Sequence, residues 1–480
     1  MNAERRRWLA LVVVCLAQLM IVLDTTIVNV ALPSIQHDLH FTQGNLTWVI
    51  NAFLVTFGSF LLLAGRLGDL LGRKRVFLYG VALFTVASAL CGAASDSSML
   101  IAARFIQGVG AAMQASVILA IIVIEFPKPE ERARAMSAYV FTAVAGGSLG
   151  LLAGGVLTQL ISWHWIFFVN LPIGVLAIVA GRILIPDDSG IGLGAGVDWL
   201  GSVLVTLAIG AAVYAIVEAT SHGWGSVQVI GPGAVAVAML GGFMTLESRI
   251  ANPIMPLGIL RNRGLVGSCI MRGFLVTGMY GTWFLGSLYL EHVLHYGAIE
   301  TGLAYMPWTL TVAVLSMGVT RRLVTRLGPM PVMVGGMLLV ALGLFELHGI
   351  SLHTTYFPRL AIGFFLMGLG IGNAFMPMLT IAMADVPHEQ AGLASGIVNV
   401  SQQVSGALGL AVLSTFATNH SNALIAAGHA VDTSLISGYR LAYEIAIVSV
   451  LVGVGVALSM MRSRRIAAAP ARAEVQVAEA

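Results

Sequence analysis

Charge is what this sequence has least of. Asp, Glu, Lys and Arg make up 10% of its 480 residues, against about 25% in ordinary soluble proteins. Apolar residues reach 58% and the mean hydropathy is +0.91. A soluble core does not absorb that much hydrocarbon, so the composition predicts an all-α integral membrane protein. Cysteine is scarce as well: Cys15, Cys91 and Cys269 each sit in an apolar stretch, which suggests neither a disulfide framework nor a metal site. No Gly-x-x-x-x-Gly-Lys-Ser/Thr phosphate loop occurs, so no nucleotide and no other cofactor is expected. The net charge of +3 gives no indication of a nucleic-acid partner. Catalytic groups are not clustered at one membrane face and no extra soluble domain is visible, which argues against an enzyme or a sensor. Glycine, in contrast, is abundant at 55 residues, as expected where helices pack in lipid through small residues.

Apolar runs long enough to cross about 30 Å of hydrocarbon number about fourteen. They cover roughly 8–32, 48–65, 76–94, 99–122, 136–160, 165–185, 197–218, 227–246, 266–290, 303–321, 331–349, 357–381, 394–416 and 440–461. The first reads as an uncleaved helix, because its apolar run is too long for a signal peptide. With the N-terminus placed inside, alternate loops collect all of the 25 basic residues except Arg104, Arg272, Arg359 and Arg440. Both termini are therefore expected in the cytoplasm. The same topology puts every histidine except His388 at or near the outer face, which suits either ordinary polar loop positions or an external proton-collecting layer. The chain also repeats: Arg66-Leu67, Leu71-Gly72, Val76 and Gly80 recur as Arg322-Leu323, Leu327-Gly328, Val332 and Gly336, and Arg104 and Gly108 as Arg359 and Gly363. Eight spans precede the second copy where six would preserve its orientation equally well. The expected organisation is thus a six-helix bundle over 1–185, two inserted helices over 186–250, a second six-helix bundle over 251–462 and a disordered tail over 463–480.

Several motifs carry chemistry. The basic loop Gly65-Arg66-Leu67-Gly68-Asp69-Leu70-Leu71-Gly72-Arg73-Lys74-Arg75 sets one acid among four cations and spaces its glycines for close backbone approach. It resembles the loop between the second and third helices of the major facilitator superfamily, with Gly65, Asp69, Gly72, Arg73 and Arg75 in place and Leu70 where the family often has arginine. Leu23-Asp24-Thr25-Thr26-Ile27-Val28-Asn29 resembles the first-helix signature of the fourteen-helix drug:proton antiporter branch, and Arg104-Phe105-Ile106-Gln107-Gly108 the superfamily's fourth-helix motif. Gly146, Gly150, Gly154 and Gly155 resemble the antiporter motif of the fifth helix, with Leu151 in place of its proline, so that a proline bend is not expected there. The resemblance spans about residues 8 to 461 and implies a proton-coupled exporter of drugs or other lipophilic small molecules, cationic ones among the candidates, working in the cell membrane by alternating access; a monomer is expected, although the sequence does not fix the oligomeric state.

Ionisable groups inside a bilayer are costly and mark function by default. Asp24 lies about 24 Å along the first helix from Trp8, in the outer half, where a proton and a substrate can compete for its carboxylate. Arg104 descends to a similar depth, and an ion pair between the two is expected. Glu346 and Glu444 are candidates for secondary proton or cation sites. Asn29, Arg272, Tyr280 and Trp283 are candidates for the cavity, Tyr280 and Trp283 sharing a face that suits stacking on a flat cation. Ser395, Asn399 and Gln403 form a polar stripe suited to hydrogen bonding between helices. The same motifs fit a dedicated exporter of one metabolite or antibiotic, and the glycine-rich fifth helix disfavours uptake by symport.

Overall fold

The computed structural model describes residues 3–41, 46, 48–188, 190, 192, 198–250, 253 and 255–478. Among these the regular structure is all helix, without strands. In order come α1 (Ala3–Asp38), α2 (Trp48–Leu71), α3 (Arg73–Gly92), α4 (Ser97–Glu125), α5 (Pro129–Leu160), α6 (Trp165–Leu184), α7 (Trp199–His222) and α8 (Val227–Glu247). Then follow α9 (Arg263–Leu288), a broken α10 (Ala298–Ala304, Met306–Val314 and Thr320–Leu327), α11 (Pro329–His348), α12 (Ala361–Ala384), α13 (Ala391–Ala426) and α14 (Val431–Ala478).

Of the about fourteen spans expected from bilayer thickness, eleven are unbroken helices long and apolar enough to cross a membrane among the described residues, and α5 makes a twelfth if its bent halves count as one. The other two, α9 and α10, are helical but fall short of that test. A π turn over Leu315–Val319, with Gly318 at φ 115°, interrupts α10. Two features differ from the sequence-based expectation. Pro129–Gly147 and Leu152–Leu160 meet at 41° although the proline is missing, the break beginning at the Gly147-Ser148 step, a pair at which helices bend without proline. The last helix continues to Ala478 where a disordered tail is expected; its alanines favour helix, while Pro470 removes one backbone donor from it.

The two halves repeat in space. Within the first, α3 packs on α4, α1 on α5 and α1 on α6; within the second, α11 packs on α12, α9 on α13 and α9 on α14. Glycine breaks the chain at the same register in each: Gly72 ends α2 at φ 101° and Gly328 ends α10 at φ 85°, a region that side chains with a Cβ avoid. The bundles meet where α13 packs on α2 and α4, and where α5 packs on α10 and α12. The inserted pair stands outside, α7 lying against α2 and α13 and α8 against α7. Burial ranks the helices accordingly: 83% of the apolar stretch of α4 is buried and 17% of that of α8, so α4 is core and α8 faces the hydrocarbon.

Candidate functional site

Two polar clusters lie in this apolar frame. The first is built on α4, whose N-terminus is capped by Asp96 accepting from the Met99 amide at 2.9 Å. Two turns later Arg104 and Gln107, one helical turn apart, point at α1. Arg104 Nη1 donates to Asp24 Oδ2 at 2.5 Å and to Gln107 Oε1 at 2.7 Å, and Arg104 Nε donates to the Val49 carbonyl at 2.8 Å. Gln107 Nε2 donates to Asp24 Oδ1 and to Ser88 Oγ, both at 2.8 Å. The guanidinium also lies over the Phe53 ring, 4.5 Å from its centroid. Asp24 and Arg104 are each 1% exposed and Gln107 and Ser88 are sealed completely. Four helices, α1 to α4, thus converge on one carboxylate, and the pairing expected from depth along the helices is found. Charge-assisted bonds in such a dry site are strong.

Glycines bring these helices close enough. At Gly108 a Cβ would run into Thr56 Oγ1 and the Phe53 carbonyl on α2, and at Gly150 into Thr26 Oγ1 on α1, two residues past Asp24. Gly146 faces Leu19 and Val22, Gly154 faces Ile27, and Gly155 is buried. The glycine motif of α5 is therefore the seat of the carboxylate-bearing helix. The side chain of Asn29 lies outside the described residues.

The second cluster closes the basic ends of the bundles. Asp69 accepts from Arg73 Nη2 at 2.8 Å and, across the bundle seam, from the amides of Gly392 and Leu393 at 2.9 and 2.8 Å. Those amides open α13, so the carboxylate sits on the positive end of a helix. Gly65 and Gly392 touch backbone to backbone beneath it. Arg75 is exposed and points away. Two residues of this cluster escaped sequence reasoning. Asp188 caps α3 by accepting from the Arg73 and Lys74 amides at 2.6 and 3.1 Å, and Asp187 pairs with Lys74 Nζ at 2.9 Å. The signal was present as two adjacent acids after the sixth span, but nothing in the sequence says which basic loop they face.

The remaining candidates lie elsewhere. Glu444 is exposed on α14 and meets His348 Nε2 at 2.9 Å, while Glu346 is half-buried on α11. Neither joins the Asp24 cluster. Trp283 stacks on Tyr305 at 5.2 Å between centroids and seats its ring against Gly147 of α5, and Tyr280 packs on Gly406 of α13. Asn399 donates to the Ala115 carbonyl of α4 at 3.1 Å, the bond between helices that its polar stripe suggested. Arg272 is 3% exposed beside Phe375, 5.1 Å from its ring centroid.

Comparison with known proteins matches residues 14–410 to the Major Facilitator Superfamily. The chain is similar to the puromycin resistance protein pur8 of Streptomyces alboniger, 39% identical over 92% of this chain and 88% of that one. It is also similar to the cephamycin export protein CmcT of Amycolatopsis lactamdurans, 33% identical over 85% of this chain and 84% of that one. Among solved structures it resembles the human organic anion transporter MFSD10 (TETRAN), with a TM-score of 0.66 and 15% identity over 94% of this chain and all of that one, a likeness of fold.

Proposed function

This chain belongs to the major facilitator superfamily, whose members are transporters and not enzymes, and we propose that it is a proton-coupled exporter of drugs or antibiotics. The observation that carries the reading is the sealed Asp24–Arg104–Gln107 cluster. A carboxylate that is desolvated yet fully hydrogen-bonded can exist in two states, and a single proton decides between them. With Asp24 ionised, the guanidinium is neutralised and α1 is tied to α4. With Asp24 protonated, that tie weakens and α1 can shift on the glycine face of α5. Alternating access then follows from rocking one bundle against the other, with 1–185 and 251–462 as the bundles and 186–250 as the insertion. Asp69, Arg73 and the start of α13 form the latch that opens for the inward-facing state. The basic loops support a location in the cell membrane with both termini on the cytoplasmic side. The cargo is a small lipophilic molecule. Relatives named for resistance to, or export of, one compound each favour a narrower second reading, a pump dedicated to a single antibiotic.

The test is transport by purified protein in liposomes under an imposed pH gradient, with ethidium and the carboxylate-bearing dye rhodamine 110 as cargoes. Wild type should move at least one of them with the gradient, and Asp24→Asn should slow this at least tenfold when compared at equal amounts of folded protein. Undiminished transport in the variant would relocate coupling to Glu346 or Glu444. Absence of gradient-driven movement of either cargo would remove the proton-coupled multidrug reading.

A further inference from the structure

Arg104 and Arg272 are both buried arginines, and they differ in one respect. The donors of Arg104 are engaged by a carboxylate, an amide oxygen and a backbone carbonyl. Arg272 has Nη2 donating to Gln402 Oε1, while its Nε and Nη1 have no partner. Among the described residues no carboxylate forms an ion pair with it, and the groups near enough to feel its charge are Tyr139, Cys269 and Tyr280. A guanidinium cannot shed its proton to escape burial, and an uncompensated charge inside a membrane is retained for a purpose.

Its position supplies the purpose. Arg272 stands about 14 Å from the start of α9, near the middle of the helix. Gln402 comes from α13 and Phe375 from α12, while Tyr139 approaches from α5 in the opposite bundle. The Phe375 ring holds the guanidinium plane, leaving its edges for other partners. Tyr280 and Trp283 follow on α9 about two and three turns further on, and the Trp283 ring also touches α5, at Gly147. The unpaired cation therefore lies at the seam between bundles, with aromatic rings above it.

We infer that Arg272 is the recognition group of a cargo site at this seam, and that the site takes small molecules carrying a carboxylate or a comparably strong anionic acceptor beside a flat ring. A guanidinium with free donors binds such a group by charge-assisted bonds, and the rings accept the flat part by stacking. A cargo with net positive charge and no such acceptor meets repulsion at the same point. The inference deepens the exporter reading and rests on it for the cargo's fate, but binding itself needs no gradient.

The experiment uses a matched pair of dyes, rhodamine 110, which bears a free carboxylate, and rhodamine 123, its methyl ester. Binding is read by fluorescence polarisation with full-length protein in nanodiscs. Wild type should hold the carboxylate dye at least tenfold more tightly. Arg272→Gln should bring the two dyes within threefold of each other, and Arg272→Lys, which keeps the charge and loses the fork, should retain part of the preference. If Arg272→Gln does not fold, the wild-type preference and the lysine variant decide. Equal, reversed or absent binding of rhodamine 110 by wild type overturns the inference, as does an unchanged preference in Arg272→Gln or a lost one in Arg272→Lys. Failure of the proton-gradient assay with this preference intact would remove the exporter reading and leave the site standing.

Discussion

Asp24 and Arg104 are each 1% exposed, so neither charge can fall back on water if the other is removed. Breaking a buried pair by truncating one partner costs about 3–5 kcal/mol, whereas Asp24→Asn keeps an acceptor in front of the guanidinium and changes mainly the charge. The asparagine variant therefore loses less stability than a truncation to alanine would, and its transport is compared at equal amounts of folded protein. At an exposed site a different carboxylate is expected to respond to pH. Asp38 ends α1, where His37 Nδ1 lies 3.2 Å from Oδ1 and Trp163 Nε1 donates to Oδ2 at 2.8 Å, tying α1 to the corner between α5 and α6. These hydrogen bonds, from His37 first and Trp163 second, hold the Asp38 carboxyl below its usual value. A carboxyl depressed by folding contributes stability that is complete above its unfolded value, about 3.9, and is lost as pH falls through the depressed value. The expected outcome is a change in tryptophan emission on acidification below about pH 4 that is absent from Asp38→Asn, whose emission is already altered at neutral pH. Identical acid titrations of the two proteins would contradict this.

At the scale of helices, glycine has two meanings here, and only spatial neighbours separate them. Gly150 faces α1 so closely that a Cβ would collide with Thr26 Oγ1, while Gly241 and Gly242 on α8 have nothing within 4 Å. Overpacking a close contact costs about 1–3 kcal/mol. At an open helical position alanine gains about 0.8–1 kcal/mol in intrinsic propensity. Gly150→Ala should therefore lower the melting temperature and slow transport, since it pushes α5 off the helix that carries Asp24. Gly241→Ala should leave transport alone and not lower the melting temperature. Thermal melts of the two variants in one detergent check the contrast, and equal shifts would mean that the glycine stripe is not a packing seat. The spacing of Gly146, Gly150 and Gly154 was legible as a smooth face, and the partner was not: a face predicts close approach, while the identity of the approaching helix depends on tertiary packing. The bend in α5 was missed for a related reason, since proline was taken as its necessary cause and the Gly147-Ser148 step suffices.

For the whole molecule, span positions, the basic-loop asymmetry and the internal repeat were all legible, because each is a periodic or compositional property of the chain. The Asp24–Arg104 pair was legible through depth, since rise per residue converts sequence distance into height. Contacts across the seam were not, because they join residues more than 100 positions apart. Asp69 shows what was hidden. Its spacing marks it as special, yet its partners are the amides of Gly392 and Leu393, and backbone amides leave no trace in a sequence. With Arg73 and the Gly65–Gly392 contact, those bonds hold the basic ends together in this structure. A carboxylate on a helix N-terminus contributes about 0.3–2 kcal/mol, and asparagine at the same place keeps the shape without the charge. Asp69→Asn should shift the molecule toward the state open at the basic end. Hydrogen–deuterium exchange at the start of α13, residues 391–396, should then rise several-fold, while exchange at the opposite end, around Asp38 and Trp163, should not rise with it. A uniform rise over both ends would indicate general loosening, and no change at 391–396 would mean that the glycine contact alone keeps the bundles shut.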